Sequence, residues 1–252
     1  MSSSVLFTCS AFLSKPNKRA QLRTALRSIF SCHSQSELSL VREIVVINEY
    51  SADDHADHGE AVRPIDPRIE FTQKGQDARG HARTLNMILE RLRGYEYWLH
   101  WEESWVCSRP FLAEALDVMQ STELTQVQLT PDWLDIGAER TMRSATPAGT
   151  MYAQILPHAQ TAEVLRGASV ADYERLAHSH GMGVAWPLFS LRPGINRAAF
   201  CREVGPFDED PRHWPVRFEW EYAVRWFLRG ATKAVLIPPA SVRQPNHMST
   251  YR

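Results

Sequence analysis

The 252-residue sequence has no run of the ~18 consecutive apolar residues that a membrane helix requires, so no membrane span is expected. It has no excess of either charge. Twenty-eight Lys and Arg stand against 29 Asp and Glu, which argues against nucleic acid or an anionic membrane as a partner. The four cysteines, Cys9, Cys32, Cys107 and Cys201, are far apart and form no CxxC pair. They read as buried thiols rather than a disulfide frame or zinc site, and a reducing compartment, the cytoplasm, is the default. The opening MSSSVLFTCSAFLSKPNK has no basic n-region and only a short apolar run, so it does not read as a signal peptide. No GxSxG elbow is present, and Ser-His-Asp hydrolysis is unsupported. Repeats, low-complexity tracts and obvious linkers are also lacking. A single domain over residues 1–252 is the simplest reading.

What is present alternates between two periodicities. SVLFTC (4–9) and EIVVIN (43–48) are short, apolar and β-rich. Between them, Leu22, Ala25, Leu26, Ile29 and Phe30 fall on one face of a helix. RIEFTQ (68–73) reads as a strand. The following helix carries Leu85, Ile88, Leu89 and Leu92 on one face and closes at Gly94. YEYWLHW (95–101) and TQVQLT (125–130) read as strands around a helix at FLAEALDVMQ (111–120). Strands alternating with helices predict an α/β sandwich with a largely parallel sheet, whose ligands gather at the carboxyl ends of the strands.

The second half is less regular. GAERTMRSATPAGT (137–150) reads as a mobile polar loop, SVADYERLAHSHG (169–181) as a short helix and PLFSLRPGINRAAF (187–200) as a turn-rich insert. FEWEYAVRWFLRG (218–230) is a helix with Trp220, Ala223, Val224, Phe227 and Leu228 as its apolar face and Gly230 as its end. KAVLIPP (233–239) is a last strand, followed by a tail.

Two strand ends carry chemistry. YWLHWEESW (97–105) runs from aromatic and aliphatic residues straight into Glu102, Glu103 and Ser104. An apolar strand that ends on two carboxylates points to a cleft in which negative charge or oxygen ligands are used. Asn48 and Glu49 occupy the same kind of position after EIVVI. The DDHADHGE run (53–60) reads as a polar loop rather than a metal site.

The order VVINEYSADD, GHARTLNMIL, YWLHWEESW, FEWEYAVRWF, VLIPPASV resembles the GT-A glycosyltransferases of family 2, over roughly residues 5–245. The resemblance implies a Rossmann-like three-layer α/β sandwich with a mixed, mostly parallel central sheet. Its nucleotide-sugar-binding half would be about 1–130 and its acceptor-binding half about 131–252. It implies inverting transfer of a sugar from a nucleotide-sugar donor to the hydroxyl of a glycan, lipid-linked, peptide or small-molecule acceptor. Asn48, Glu49 and Asp53 match the nucleoside-binding positions, where acceptors for base N–H and ribose hydroxyls are needed. Arg83, with Arg79 and His81, would face the diphosphate, and Asn86 matches the family's helix Asn.

Glu102, Glu103 and Ser104 fall on the family's Asp-x-Asp motif, which holds Mn²⁺ or Mg²⁺ through carboxylate oxygens. The motif is degenerate, because Ser104 stands where the direct metal ligand belongs. Trp101 would pack on sugar or base. Glu219 falls on the position of the general base, Arg192 near the donor, with Ser190 and Asn196 beside it. Gln244 stands at the family's metal-binding His position, with His247 three residues on as a substitute. Glu221 and Arg225 are expected to pair across one helical turn. Two alternatives remain: an inactive relative that binds a nucleotide sugar or glycan, and a nucleotidyltransferase. The last would need a Gly-rich loop after the first strand, and TCSAFLSKPNKRAQ has no glycine.

Overall fold

A computed structural model describes residues 4–14, 16–50, 58–131, 138–157, 187–210 and 217–244. Asp53, His247 and the expected helix at 169–181 lie outside the described residues.

The first strand, β1 (Val5–Ala11), pairs in parallel with β2 (Val41–Asn48), and β2 with β3 (Ile69–Gln73). On its other side β1 pairs in parallel with β4 (Tyr97–Glu102). The sheet continues through β9 (Gly194–Arg197), β6 (Gln126–Gln128), β10 (Lys233–Leu236), β8 (Met151–Pro157) and β7 (Ala138–Ala145). Nine strands thus form one mixed, mostly parallel sheet, with β8 and β9 running against the rest. A small ribbon of β5 (Trp105–Cys107) and β11 (Ser241–Arg243) closes over the β4 end.

Because successive strand residues face opposite ways, each buried strand feeds two cores. Phe7, Val46, Leu99, Val127 and Ala234 meet helices α1 (Pro16–Cys32) and α4 (Leu112–Ser121). Leu6, Val45, Trp98 and Val235 meet α3 (His81–Arg91), α5 (Ala198–Val204) and α6 (Arg217–Leu228). The short α2 (Gln35–Leu38) starts on a capping box from Ser34 and Glu37. Helix α1 starts with Pro16, whose missing N–H costs nothing in the first turn. It buries Leu22, Ala25, Leu26 and Ile29, as their spacing predicts. Truncating Leu26 to Ala would cost about 2–5 kcal/mol.

Three expectations are corrected. From residue 138 on, GAERTMRSATPAGT forms the first strand and the turn of an edge hairpin. Residues from 138 onward form β7, and the turn to β8 closes with Gly149 at φ 91, a backbone region that suits glycine. Polar residues in an edge strand hide its β character and blunt the edge. The insert at 187–200 is more than a turn, since its β9 lies mid-sheet between β4 and β6. The buried stripe of α6 is Phe218, Tyr222, Ala223 and Trp226 with Trp220, while Leu228 is exposed. The helix is rotated so that Phe207 stacks on Tyr222 at 3.8 Å.

Candidate active site

The alternation of β4 decides which strand-end groups meet. Trp98, His100 and Glu102 face α3 and α6, whereas Tyr97, Leu99 and Trp101 face α1 and α4. Trp101 is therefore not a ligand platform. It is fully buried, stacks on Phe111 at 5.8 Å and donates its indole N–H to the Trp105 carbonyl at 3.0 Å.

Glu102 keeps some exposure, and Glu219, on the first turn of α6, comes close enough to act on it electrostatically. Burial first, then the charges of Glu103 and Glu219, push the Glu102 carboxyl up to about 8. Burial raises Glu219 as well, opposed by the Leu191 N–H and by the charges of Arg192 and Lys233. That N–H donates to Glu219 Oε1 at 3.0 Å and fixes the carboxylate. With its carboxyl at about 8, Glu102 keeps its proton near neutrality.

The loop behind this pair is held from below. Lys233, fully buried on β10, donates to the Leu188 carbonyl at 2.8 Å. Leu188 itself sits at φ 71, a strained region for a bulky side chain. Arg192 N–H donates to Ser190 Oγ at 3.1 Å. Asn196 is buried in the sheet, accepting from Gln126 Nε2 at 2.8 Å and donating to the Trp98 carbonyl at 3.3 Å. It serves the fold rather than the cleft surface.

Glu103 turns the other way. Its Oε1 accepts from Lys18 Nζ at 2.8 Å, and both side chains are buried. Lys18 lies one turn before Leu22 on the buried face of α1, a place where a cation needs a partner. Gln244 latches the same turn. Its side-chain amide donates to the carbonyls of Glu103 (2.7 Å) and Gln21 (3.0 Å), and its N–H to that of Ser104 (2.9 Å).

The nucleoside-side candidates form a second cluster. Asn48 is buried, accepts the Leu13 N–H at 2.9 Å and donates to Gln73 at 2.7 Å, so it ties the β1 loop to the sheet. Glu49 accepts from the Thr84 hydroxyl and, at 2.7 Å, from Lys74 Nζ. Lys74 also donates to the Gly80 carbonyl (2.7 Å) and Thr84 Oγ1 (2.6 Å). Burial lowers its pKa, opposed by Glu49. His81, buried at the start of α3, has its pKa lowered by burial. Arg79 is exposed.

Asn86 docks the 205–210 segment, donating to the Phe207 carbonyl (2.9 Å) and to Glu209 (2.6 Å) and accepting the Phe207 N–H (2.7 Å). Arg83 meets Glu209 at 3.4 Å with both side chains exposed. Glu221 pairs with Arg217 at 3.0 Å, and Arg225 donates to the Val204 and Pro206 carbonyls. An open hollow of about 530 Å³ beside Asn86, Phe207, Glu209 and Arg225 contains neither Glu102 nor Glu219.

The oxygen set expected for Mn²⁺ or Mg²⁺ is not assembled by the described residues. No group of three or more His, Cys, Asp or Glu side chains among them is placed to hold a metal. Sequence reasoning missed Lys18, Lys74 and Lys233. The first was signalled by its place on an apolar helix face. It also missed Arg243, whose guanidinium lies 5.0 Å over the Trp105 ring.

No family model matches the sequence, and no curated protein is similar to it. Among solved structures, residues 1–349 of S. aureus TarS align over 96% of this chain and 59% of that one, at 14% identity and a TM-score of 0.56. The fold is GT-A-like. At this identity the likeness is one of fold and does not single out family 2. The chain spans less than two-thirds of the TarS chain it matches. Among the described residues no helix is long and apolar enough to cross a membrane.

Proposed function

We propose that the protein transfers a sugar from a nucleotide-sugar donor to an acceptor hydroxyl, with inversion. The observation that carries this reading is that Glu102, at the carboxyl end of β4, lies within electrostatic reach of Glu219, whose carboxylate is fixed by the Leu191 N–H on the first turn of α6, in a GT-A-like sheet. That edge is where ligands bind in open α/β sheets.

In the proposed step Glu219 takes the proton of the acceptor O–H while that oxygen attacks the anomeric carbon. The anomeric C–O bond to the diphosphate breaks, and its electron pair leaves with the nucleoside diphosphate. The Leu191 N–H orients Glu219 for this, and its raised proton affinity makes it a better base near neutral pH. Glu102, mostly protonated, offers a hydrogen bond to the donor sugar. Glu49 and the Lys74 network would shape the nucleoside side, with Arg83 toward the diphosphate.

The second reading is a nucleotide-sugar- or glycan-binding relative without turnover. It is favoured by Asn48 and Asn86, whose amides are committed to the fold. Nucleotide release from UDP-, GDP-, ADP- and dTDP-sugars separates the two. Transfer by the wild type, with Glu219→Gln slower by about 10²–10⁴-fold but still binding donor, supports the enzyme. Tight donor binding with no release for any acceptor class supports the binding protein.

A further inference from the structure

Among the described residues, those that the resemblance assigns to a divalent cation do not fit one. The Glu103 carboxylate is closed by the buried Lys18 ammonium at 2.8 Å. Ser104 offers a neutral hydroxyl in place of a carboxylate, and Gln244 commits its side-chain amide to the Glu103 and Gln21 carbonyls. Glu102 is then the remaining carboxylate of the motif, and a hard cation wants several oxygen ligands together.

A different cation stands at the same strand end. Arg243 closes β11, opposite Trp105 in the antiparallel register, and is exposed. Its guanidinium lies 5.0 Å over the Trp105 ring and its charge acts on Glu102. Stacking on the indole holds the planar fork in place at little further entropic cost. Such a fork matches two phosphate oxygens, which a single carboxylate cannot do.

We infer that Arg243 receives the charge of the departing nucleoside diphosphate, and that donor binding therefore needs no divalent metal. The inference rests on the proposed sugar transfer. The electron pair of the broken anomeric C–O bond ends on a phosphate oxygen next to the Arg243 guanidinium, while the acceptor proton ends on Glu219.

Titration calorimetry with UDP, GDP, CDP, ADP and dTDP, each in EDTA and in Mn²⁺, tests this directly. At least one nucleotide is expected to bind with a Kd that differs by less than about twofold between the two conditions. Arg243→Gln should weaken that nucleotide by about tenfold or more, with Arg243→Lys recovering part of the loss. Binding that appears only with Mn²⁺, or that survives Arg243→Gln unchanged, overturns the inference and leaves sugar transfer standing. Silence for every nucleotide in both conditions overturns both. An independent readout needs no variant. When the wild-type protein is titrated with Mn²⁺, the paramagnetic resonance signal of the free ion should be undiminished, and stoichiometric loss of that signal would contradict the account.

Discussion

Two polar clusters at the same edge of the sheet differ in how completely their charges are matched. In the Glu49 cluster, Lys74 has a carboxylate, a hydroxyl and a carbonyl, and Asn48 uses both ends of its amide. Around Glu102 the balance runs the other way: burial and the charges of Glu103 and Glu219 outweigh that of Arg243, and the carboxyl is held protonated near neutrality. Buried polar groups that are fully matched hold a fold together. A cluster left mismatched at a strand end is destabilising by itself and persists where a ligand or a reaction uses it.

The contrast can be broken most forcefully at Lys74. Lys74→Met would remove the buried ammonium and leave the partly buried Glu49 beside Thr84 without its cation, and a loss of about 3–5 kcal/mol is expected. Chemical denaturation measures it; a loss below about 1 kcal/mol would mean that the cluster is not structural. Lys18→Met isolates Glu103 in the same way but removes a single bond, so about 3 kcal/mol is expected by the same assay. Asn86→Ala removes the amide that docks Phe207 and should cost about 1–3 kcal/mol, with the 205–210 segment becoming sensitive to protease.

The other cluster should respond with the opposite sign. The folded-state pKa of Glu102 is raised above its ordinary value, so the folded state holds this proton more tightly than the unfolded chain does. Stability from this group is full below pH 4.5 and is lost as pH rises through about 8. Glu102→Gln should therefore raise Tm by about 3–6 °C at pH 8 to 9 and by much less at pH 5. Equal shifts at both pH values would show that the carboxyl is not perturbed.

How much of this was legible follows from where the signals lie. Strands β1, β2 and β4 are built around short apolar, β-rich runs and announce themselves. Strand β9 hides behind Arg192-Pro193-Gly194, and β7 hides because an edge strand need not be apolar. The rotation of α6 was set by Phe207 and Phe189 packing on Tyr222, contacts that its own periodicity does not contain. Glu102 could be singled out as a carboxylate at the end of an apolar strand, and Glu219 by its place in the resemblance. Their meeting across more than a hundred residues could not, nor could the Lys18 bond that removes Glu103 from their company. Trp101 was misread because a strand's two faces are equivalent until a neighbour assigns them.

The central claim is that the Glu102–Glu219 pair serves chemistry rather than stability. Glu219→Gln tests it most directly, with Tm and sugar transfer measured on the same preparation. The account predicts a Tm within a few degrees of wild type or higher, donor binding retained and transfer reduced by at least about 10²-fold. A variant that unfolds, or one that transfers sugar at the wild-type rate, would contradict it.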